Sequence, residues 1–488
     1  MKSMRRTGLW LSVIAVSLAA GCSSTGQVTQ YETRSGVLAF ESHGYPTQET
    51  VTLVQDEVDY QRAVQAYIHW LPAVGIMQWR NGHYKLGGRA GDWTVYATTE
   101  SKMPIITAND TTTYTVTFAE LEDTDGLLVV EVPAGPTGGL VNDLWQRPVT
   151  DLGMTGPEQG EGATFLVVLA GTPVPKDHEA DYVVVSETST LLIGTRILST
   201  DPEEAQRLLK AHKIHAYGEE PDNRIIEAPH SEWEGWQPRG LDYWRVVHQA
   251  IQLNSTNERD MFMMEGLKNL GIERGKPFAP SPEQAQILEE AALVGETWAM
   301  ANSFSKRSPV KHWDEPNSQW QYILFLEEPL TQMKADYGEM DARSAYTYEA
   351  ITIAKGNTME IVDAGIQYLA SYKDDAGLWL DGAKTYELIV PKDVPALNFW
   401  SVVLYDNDTR CMIDNAAGKA EINSRMDVVY NDDGSATLTF SPTEPASGEA
   451  NWIQTNPDEG FFAYFRWYAP RQAFFDRSWV LGNITEVK

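Results

Sequence analysis

Residues 113–132 read TYTVTFAELEDTDGLLVVEV, and this stretch carries the clearest structural signal in the chain. Both of its ends are rich in β-branched and aromatic residues, which favour extended strands. Between them, Asp123 to Gly126 form a polar turn in which Gly126 can adopt the positive φ of a tight turn. The stretch therefore predicts two strands joined as a hairpin.

The same β pattern recurs in both halves of the chain. In the first half it is found at 93–97, 164–169 and 182–185. From about residue 376 it returns and continues to the end of the chain, where the polar turn Asn431 to Gly434 predicts a second hairpin.

Apolar residues fall at helical spacing in the remaining parts of the chain. Residues 45–80 are predicted to be helical, with Pro72 interrupting the run. Asp201 is a predicted N-cap, and the ranges 241–303 and 341–372 are predicted to be mostly helical. Strands at both ends and helices in the middle indicate an α+β fold that is mainly β.

The N-terminus has the pattern of an export signal. Residues 1–21 combine a basic start, a short apolar core and small residues before Cys22. Ala19-Ala-Gly-Cys22 resembles the bacterial lipobox, so Cys22 is predicted to carry lipid, and residues 22–44 are interpreted as the acylated cysteine and a polar tether. We expect anchorage to the cell envelope, at the outer membrane facing the periplasm if the cell is Gram-negative.

The charge balance narrows the range of partners. The chain of 488 residues has 38 basic and 68 acidic side chains, a formal net charge of −30. Such a surface repels phosphate backbones, so nucleic acid is not expected as a partner. If Cys22 carries lipid, Cys411 has no partner for a disulfide and is interpreted as a small buried residue.

Several segments together resemble a known bacterial family. In the first half they include Ala108-Asn-Asp-Thr-Thr-Thr-Tyr114 and Asn142-Asp-Leu-Trp145. In the second half they include Asn398-Phe-Trp-Ser-Val-Val-Leu-Tyr-Asp406 and Phe465-Arg-Trp-Tyr-Ala-Pro470. Their order and spacing resemble the family that pairs domain of unknown function 1254 with domain of unknown function 1214.

The resemblance implies an architecture and no catalytic residues. It implies two β-sandwich units, the C-terminal one similar to a jelly roll, with helices packed between and around them. We therefore divide the chain into an N-terminal β-rich domain over 45–240, a mostly helical connection over 241–372 and a C-terminal domain over 373–488.

The first candidate site is the polar segment at the start of a strand, Asn109 to Tyr114. Short polar side chains at such a position often bond to nearby backbone groups, which would make this a structural turn. Alternatively, Asn109, Asp110, Thr113 and Tyr114 line a ligand pocket, in which Asp110 would act as an acid, a base or a cation ligand.

The second candidate group lies in the C-terminal strands. Ser401 and Tyr405 share one strand face, whereas Trp400 points to the opposite face and is expected to fill the core. Arg466 stands among aromatic residues, where it either stacks structurally or binds an anion. These residues complete the predicted pocket.

Recognised catalytic motifs give no support for a particular chemistry. Ser303-Phe-Ser-Lys306 satisfies S-x-x-K but lacks the partner motifs of that enzyme class, so we reject it. His212 and His215 would need further ligands to hold a metal, so no metal site is predicted and the cofactor is unknown. Whether the protein is an enzyme is left open.

Two functions fit this pattern. The first is a lipid-anchored envelope protein that binds or transforms a small polar ligand between or within its β domains. The second is a non-catalytic envelope protein whose domains form subunit contacts, with a homo-oligomer as one form. The polar Asn109–Tyr114 segment favours the first.

Overall fold

A computed structural model describes residues 28–96, 104–111, 113–228, 234–306, 313, 318–358 and 360–487. The predicted export signal and Cys22 lie outside these residues. A small hairpin precedes the main body, formed by β1 (Thr29–Thr33) and β2 (Gly36–Phe40). The range interpreted as a polar tether thus contains two paired strands at its C-terminal end.

The first half contains two sheets. Its strands are β3 (Trp93–Tyr96), β4 (Tyr114–Glu120), β5 (Leu127–Val132), β6 (Thr137–Asp143), β7 (Pro148–Gly153), β8 (Ala163–Leu169), β9 (Tyr182–Ser186), β10 (Thr190–Ile197), β11 (Lys213–Ala216) and β12 (Ile225–Glu227). Within the described ranges they form a larger sheet of order β12-β3-β4-β10-β6-β7 and a smaller one of order β11-β5-β8-β9.

The two sheets pack face to face through one apolar cluster. Val141 and Ile193 of the larger sheet meet Val130 and Phe165 of the smaller sheet there. The predicted hairpin at Asp123–Gly126 is wrong, because β4 and β5 belong to different sheets. Gly126 does have a positive φ of 80°, but the turn carries the chain across the apolar layer and does not pair the two strands.

Most of the helices pack in one apolar cluster with strands of both halves. The helices are α1 (Gln48–Lys85), α2 (Pro202–Ala211), α3 (Leu241–Leu253), α4 (Met261–Asn269), α5 (Pro282–Phe304), α6 (Met340–Glu349), the single turn α7 (Lys355–Thr358) and α8 (Gln472–Phe475). Helix α1 packs against α3, α4, α5 and α6.

Helix α1 continues through Pro72, contrary to the predicted interruption. Residues 66–77 of this helix are buried, so neighbouring elements hold the helix on all sides. The carbonyl of Pro72 also accepts a hydrogen bond of 2.9 Å from the side-chain amide of Gln146. Packing on all sides therefore keeps the helix continuous although Pro72 has no N–H to donate.

The second half contains another pair of sheets. Its strands are β13 (Gln321–Tyr322), β14 (Ile366–Ser371), β15 (Tyr386–Val390), β16 (Ala396–Asp406), β17 (Glu421–Asn423), β18 (Ala436–Ser441), β19 (Trp452–Gln454), β20 (Phe461–Pro470) and β21 (Thr485–Glu486). In the described part of the chain their orders are β13-β14-β20-β16-β17 and β19-β18-β15-β21.

Two local predictions for this half are wrong. Residues 366–371 form strand β14 rather than a helix, because they pair with the central strand β20. At Asn431–Gly434 the turn exists, with the N–H of Gly434 donating to the carbonyl of Asn431 at 2.9 Å. However, residues 427–431 form no strand against β18, whose partners are β15 and β19.

Side-chain alternation gives the sheet of β14, β20 and β16 two distinct faces. Trp400 pairs with Trp467 on the face that belongs to the apolar core, as predicted for Trp400. Ser401 pairs with Arg466 on the opposite face. This second face, which we call the cavity face, is directed towards the first half of the chain, since Arg466 donates to the carbonyl of Thr107.

The predicted α+β class is confirmed, with 27% of residues in helices and 28% in strands, so helices contribute as much as strands. No helix among the described residues is long and apolar enough to cross a membrane. Cys411 is a free, buried cysteine, and burial raises the pKa of its thiol to about 12. It is therefore an unreactive packing residue.

Candidate functional site

A cavity of about 310 Å³ lies between the two halves of the molecule. One wall is the larger sheet of the first half, at β4, β6 and β10, and the opposite wall is the cavity face of β14 and β20. The segments 105–109 and 350–357 close its sides. Neither half forms this cavity alone.

Much of the wall is apolar or has no side chain. The apolar part includes Ile105, Val116, Leu140, Leu192, Ile323, Ile351 and Ile366. Gly138 and Gly194, on adjacent strands, also line it. A Cβ added to Gly194 would meet only ordinary contacts at 3.7 Å or more, so its missing side chain leaves free space in the cavity.

Arg466 provides a buried positive charge in the cavity wall. Its side chain is among the most buried charged groups, with the residue 3% exposed. One nitrogen, Nη2, donates to the carbonyl of Thr107 at 2.6 Å. The guanidinium lies 5.2–5.6 Å from the ring centres of Tyr368, Tyr405 and Tyr464. The other terminal nitrogen, Nη1, has no hydrogen-bond acceptor within the described residues.

Tyr468 stands two residues further along β20 and lines the same cavity. Its ring stacks on Phe399 with the ring centres 3.8 Å apart, which fixes its orientation. Burial raises the pKa of its hydroxyl, so the group remains a proton donor. Yet this hydroxyl has no hydrogen-bond partner in the described part of the chain.

Asn109 and Tyr114 fit both interpretations of their segment, as a structural turn and as part of a pocket wall. The hydroxyl of Tyr114 accepts bonds from the backbone N–H of Asn109 at 3.0 Å and from its side-chain amide at 2.6 Å. This is the bonding of a structural turn. Both residues nevertheless line the cavity, and Arg196 from β10 stacks over the Tyr114 ring at 4.2 Å.

The other predicted site residues lie beside the cavity rather than in its wall. The backbone N–H of Asp110 donates to Glu421 at 2.9 Å, and Ser401 is fully buried on the cavity face. Tyr405 is also fully buried and donates to the carbonyl of Ala108. Thr113 is partly exposed, at the residue before β4, and is not among the residues of the cavity wall.

Asp110 and Glu421 form a carboxylate pair between the two halves. Burial, followed by the negative charge of Glu421, raises the pKa of Asp110 from 3.8 to about 7. Thr111 and Asn423 donate to the Glu421 carboxylate. With this group beside it, Asp110 keeps its proton to a higher pH than a free carboxyl group does. An acid or base role for Asp110 would require contact with a ligand. Asp110 lies outside the cavity wall, and this position does not provide that contact.

Residues that the sequence analysis did not predict as site residues position one side of the cavity. The side-chain amide of Asn142 donates to the carbonyl of Ile353 at 2.7 Å and accepts from its N–H at 3.1 Å. Asp151 accepts from the N–H groups of Lys355 and Gly356 at 2.9 and 3.0 Å. Polar side chains of β6 and β7 thus fix segment 350–357 onto the first half.

A buried polar network lies behind the cavity. Tyr372 donates to both oxygens of Glu349 at 2.7 and 2.9 Å, and the Lys306 ammonium donates to the carbonyl of Ser303 at 2.7 Å. Burial is the main cause that raises the pKa of Glu349 to about 7 and lowers that of Lys306 to about 8. Ser303 is fully buried, so it is not placed to attack a substrate.

Metal ligation has no support in the described ranges, where no group of three or more His, Cys, Asp or Glu side chains converges on one point. His212 is buried and bonds to the carbonyl of Leu208 through Nδ1 at 2.8 Å. His215 lies on β11 and contacts Glu131 at 3.2 Å. The two histidines thus have separate structural partners.

Two family models match the chain, one in each half. Residues 91–217 match the family described as a protein of unknown function (DUF1254), and residues 365–472 match the one described as a protein of unknown function (DUF1214). The chain therefore contains both domains of the pair that the resemblance predicted. The cavity lies between the two matched regions, with walls from both.

One of two similar solved structures supports the fold. A Vibrio parahaemolyticus protein is 16% identical, with a TM-score of 0.52, and the match covers 88% of this chain and all of that one. An uncharacterised Burkholderia cenocepacia protein is 13% identical with a TM-score of 0.41, covering 90% of this chain and 96% of that one. No curated protein matches the chain.

Proposed function

We propose that this protein binds a small ligand in the cavity between its two halves. The observation that carries the proposal is the cavity itself, which has walls from both halves and a buried arginine, Arg466, among its lining residues. Ligand sites occur preferentially in clefts between two parts of a protein.

The size and lining of the cavity fit this role. A volume of about 310 Å³ is at the lower end of known ligand pockets, which are roughly 300–1,000 Å³. It corresponds to the volume of about ten water molecules. The walls are mainly apolar with a few polar groups, which is the usual composition of sites for small organic molecules.

Filling the cavity tests the proposal. In the variant Gly194→Leu, the new side chain would project into the cavity, while the Cβ itself meets no close contact. A thermal-shift screen of small organic acids, amides, amines and sugars should give compounds that raise the unfolding temperature of the wild type. These shifts should disappear in Gly194→Leu, because the binding volume is occupied.

The matched control is Gly482→Leu, the same substitution at an exposed glycine, where an added Cβ would meet only the carbonyl oxygen of Ile389 at 4.0 Å. This variant should respond to ligands like the wild type. A compound that stabilises wild type and Gly194→Leu equally would bind elsewhere and count against the cavity. A screen without any stabilising compound would contradict the proposal.

We further propose that the protein is anchored to the cell envelope through lipid on Cys22. The support is the basic start, short apolar core and small residues that precede this cysteine. Cells grown with labelled palmitate should label the wild type and not Cys22→Ser. Equal labelling of Cys411→Ser and wild type is the control, and persistent labelling of Cys22→Ser would exclude the anchor.

A further inference from the structure

Gly194 leaves a gap between the side chains of the cavity wall, in the middle of a strand. It lies in β10, which pairs with β4 on one side and with β6 on the other. Glycine weakens the middle of a strand, because it has no side chain to pack and loses the most backbone freedom on folding. A glycine at this position therefore requires an explanation.

Neither the backbone conformation nor the packing of the protein requires a glycine at this position. Gly194 has no positive φ, and its pairing with both neighbouring strands is regular. An added Cβ would lie 3.7 Å from its nearest contact, in Leu192. At the adjacent wall residue Gly139, by contrast, it would meet the carbonyl oxygen of Gly194 at 2.6 Å. Close approach of a ligand to the backbone is the explanation that remains for Gly194.

Four side chains surround this bare stretch of backbone and form a depression, which we call the glycine recess. Val116 and Leu140 lie directly across from Gly194 on the two neighbouring strands. Leu192 and Arg196 lie two positions away along β10, so their side chains project from the same face of the sheet. All four line the cavity, and Gly194 itself is partly exposed, so water reaches the floor of the recess.

The glycine recess fits a flat ring better than a thick one. An aromatic ring can lie face-on against the peptide groups on either side of Gly194. The projecting hydrogens of a saturated ring would hold it further from the backbone, and dispersion attraction falls steeply across such a gap. On the opposite wall of the cavity Tyr368 is partly exposed, and an aromatic ligand can make edge-to-face or offset contacts with its ring.

We propose that the cavity binds a small aromatic compound, with its ring on the floor of the glycine recess between Val116, Leu140 and Leu192. The inference rests on the proposed function and names the class of its ligand. A bicyclic aromatic compound of about ten carbon atoms fits within a cavity of about 310 Å³.

Calorimetric titration of the full-length protein with 2-naphthol, decahydro-2-naphthol and 1-decanol tests this assignment. The three probes have the same number of carbon atoms and one hydroxyl group, and they differ in shape: a flat ring system, a saturated ring system and a chain. 2-Naphthol should bind at least about fivefold more tightly than decahydro-2-naphthol, which is the middle of the range for an aromatic contact beyond the area that it buries. 1-Decanol should also bind more weakly than 2-naphthol.

The variant Gly194→Ala places one methyl group on the floor of the recess. Because the added Cβ meets no close contact and alanine weakens a strand less than glycine does, the unfolding temperature without ligand should be unchanged or higher. Binding of 2-naphthol should nevertheless weaken about tenfold, since the methyl group occupies the place of the ring. Gly482→Ala, at an exposed glycine outside the cavity wall, is the control and should bind 2-naphthol like the wild type.

The results for Gly194→Ala can overturn the aromatic assignment in two ways. Unchanged binding of 2-naphthol would show that the ring does not lie on the floor of the recess. A marked fall in the unfolding temperature would show that packing requires the glycine, and the reason for expecting a ligand there would be lost.

The outcomes with the wild type separate the two proposals. If decahydro-2-naphthol or 1-decanol binds as tightly as 2-naphthol, and Gly194→Leu binds neither, the aromatic assignment is overturned while the cavity remains the binding site. The same holds if 2-naphthol does not bind but other compounds of the thermal-shift screen stabilise the wild type and not Gly194→Leu. If no compound binds, both proposals are contradicted.

Discussion

Asp110 and Glu421 come from different halves of the chain, yet the N–H of Asp110 donates to the Glu421 carboxylate at 2.9 Å. Their two carboxyl groups cannot both be ionised without repulsion in a partly buried setting. The folded protein therefore holds a proton on Asp110 that the unfolded chain releases near pH 4. This contact makes the interface between the halves sensitive to pH.

The sign of the effect follows from the raised pKa. Because the folded state binds the proton more tightly, the stability associated with Asp110 is complete below about pH 4 and is lost as pH rises towards 7. Asp110→Asn removes this titration. Relative to wild type, the variant should gain about 1–2 kcal/mol in free energy of unfolding between pH 4 and pH 8, since solvent screens a half-buried group.

Urea denaturation at the two pH values measures this difference. Asp432→Asn, at an exposed position, is the control and should show the same pH dependence as wild type. If the stability difference between Asp110→Asn and wild type is the same at both pH values, the folded protein does not hold an additional proton on Asp110, and the account of this contact is contradicted.

At the residue scale, the sequence analysis predicted three of the residues that line the cavity. Asn109, Tyr114 and Arg466 were predicted, and all three line the cavity. Tyr468 was not singled out, because one more tyrosine in an aromatic strand gives no signal by itself. Its place in the cavity wall depends on how the two halves pack, which only the folded structure shows.

Among the elements, helices α1 and α5 show how closely the centre of the molecule is packed. Gly295 of α5 lies against Tyr67 of α1, and an added Cβ would come within 2.5 Å of the Tyr67 ring. That ring is stacked on Tyr243 with centres 3.9 Å apart, so it has little room to move. The glycine allows the two helices to approach.

Gly295→Ala should therefore destabilise the protein although alanine favours helices. We expect the free energy of unfolding to fall by about 1–3 kcal/mol, because overpacking outweighs a helix-propensity gain of about 1 kcal/mol. Leu293→Ala on the same helix, at a side chain that is 66% exposed, should change stability by less than about 0.5 kcal/mol. Denaturation of both variants at pH 7 measures this, and a neutral Gly295→Ala would show that the helices can separate.

The errors at the element scale have a common cause. Asp123–Gly126 has the residues of a hairpin turn and the expected positive φ, but the strands that it joins belong to opposite sheets. Likewise, residues 366–371 have apolar positions that fit a helix but pair with β20. Local residues specify the turn or the periodicity, whereas distant strands decide the pairing.

At the scale of the whole molecule, the cavity depends on contacts between residues far apart in sequence. The bond between Arg466 and Thr107 joins residues 359 positions apart, and Asn142 and Ile353 are 211 positions apart. The class of fold followed from strand and helix patterns. The placement of two sheets around a common space did not, since no local pattern encodes such contacts.

A crystal structure of the protein with a compound that raises its unfolding temperature in the screen tests the central claim most directly. The compound should lie in the cavity between the halves, in contact with Leu140 and Leu192. A compound bound outside this cavity would contradict the claim.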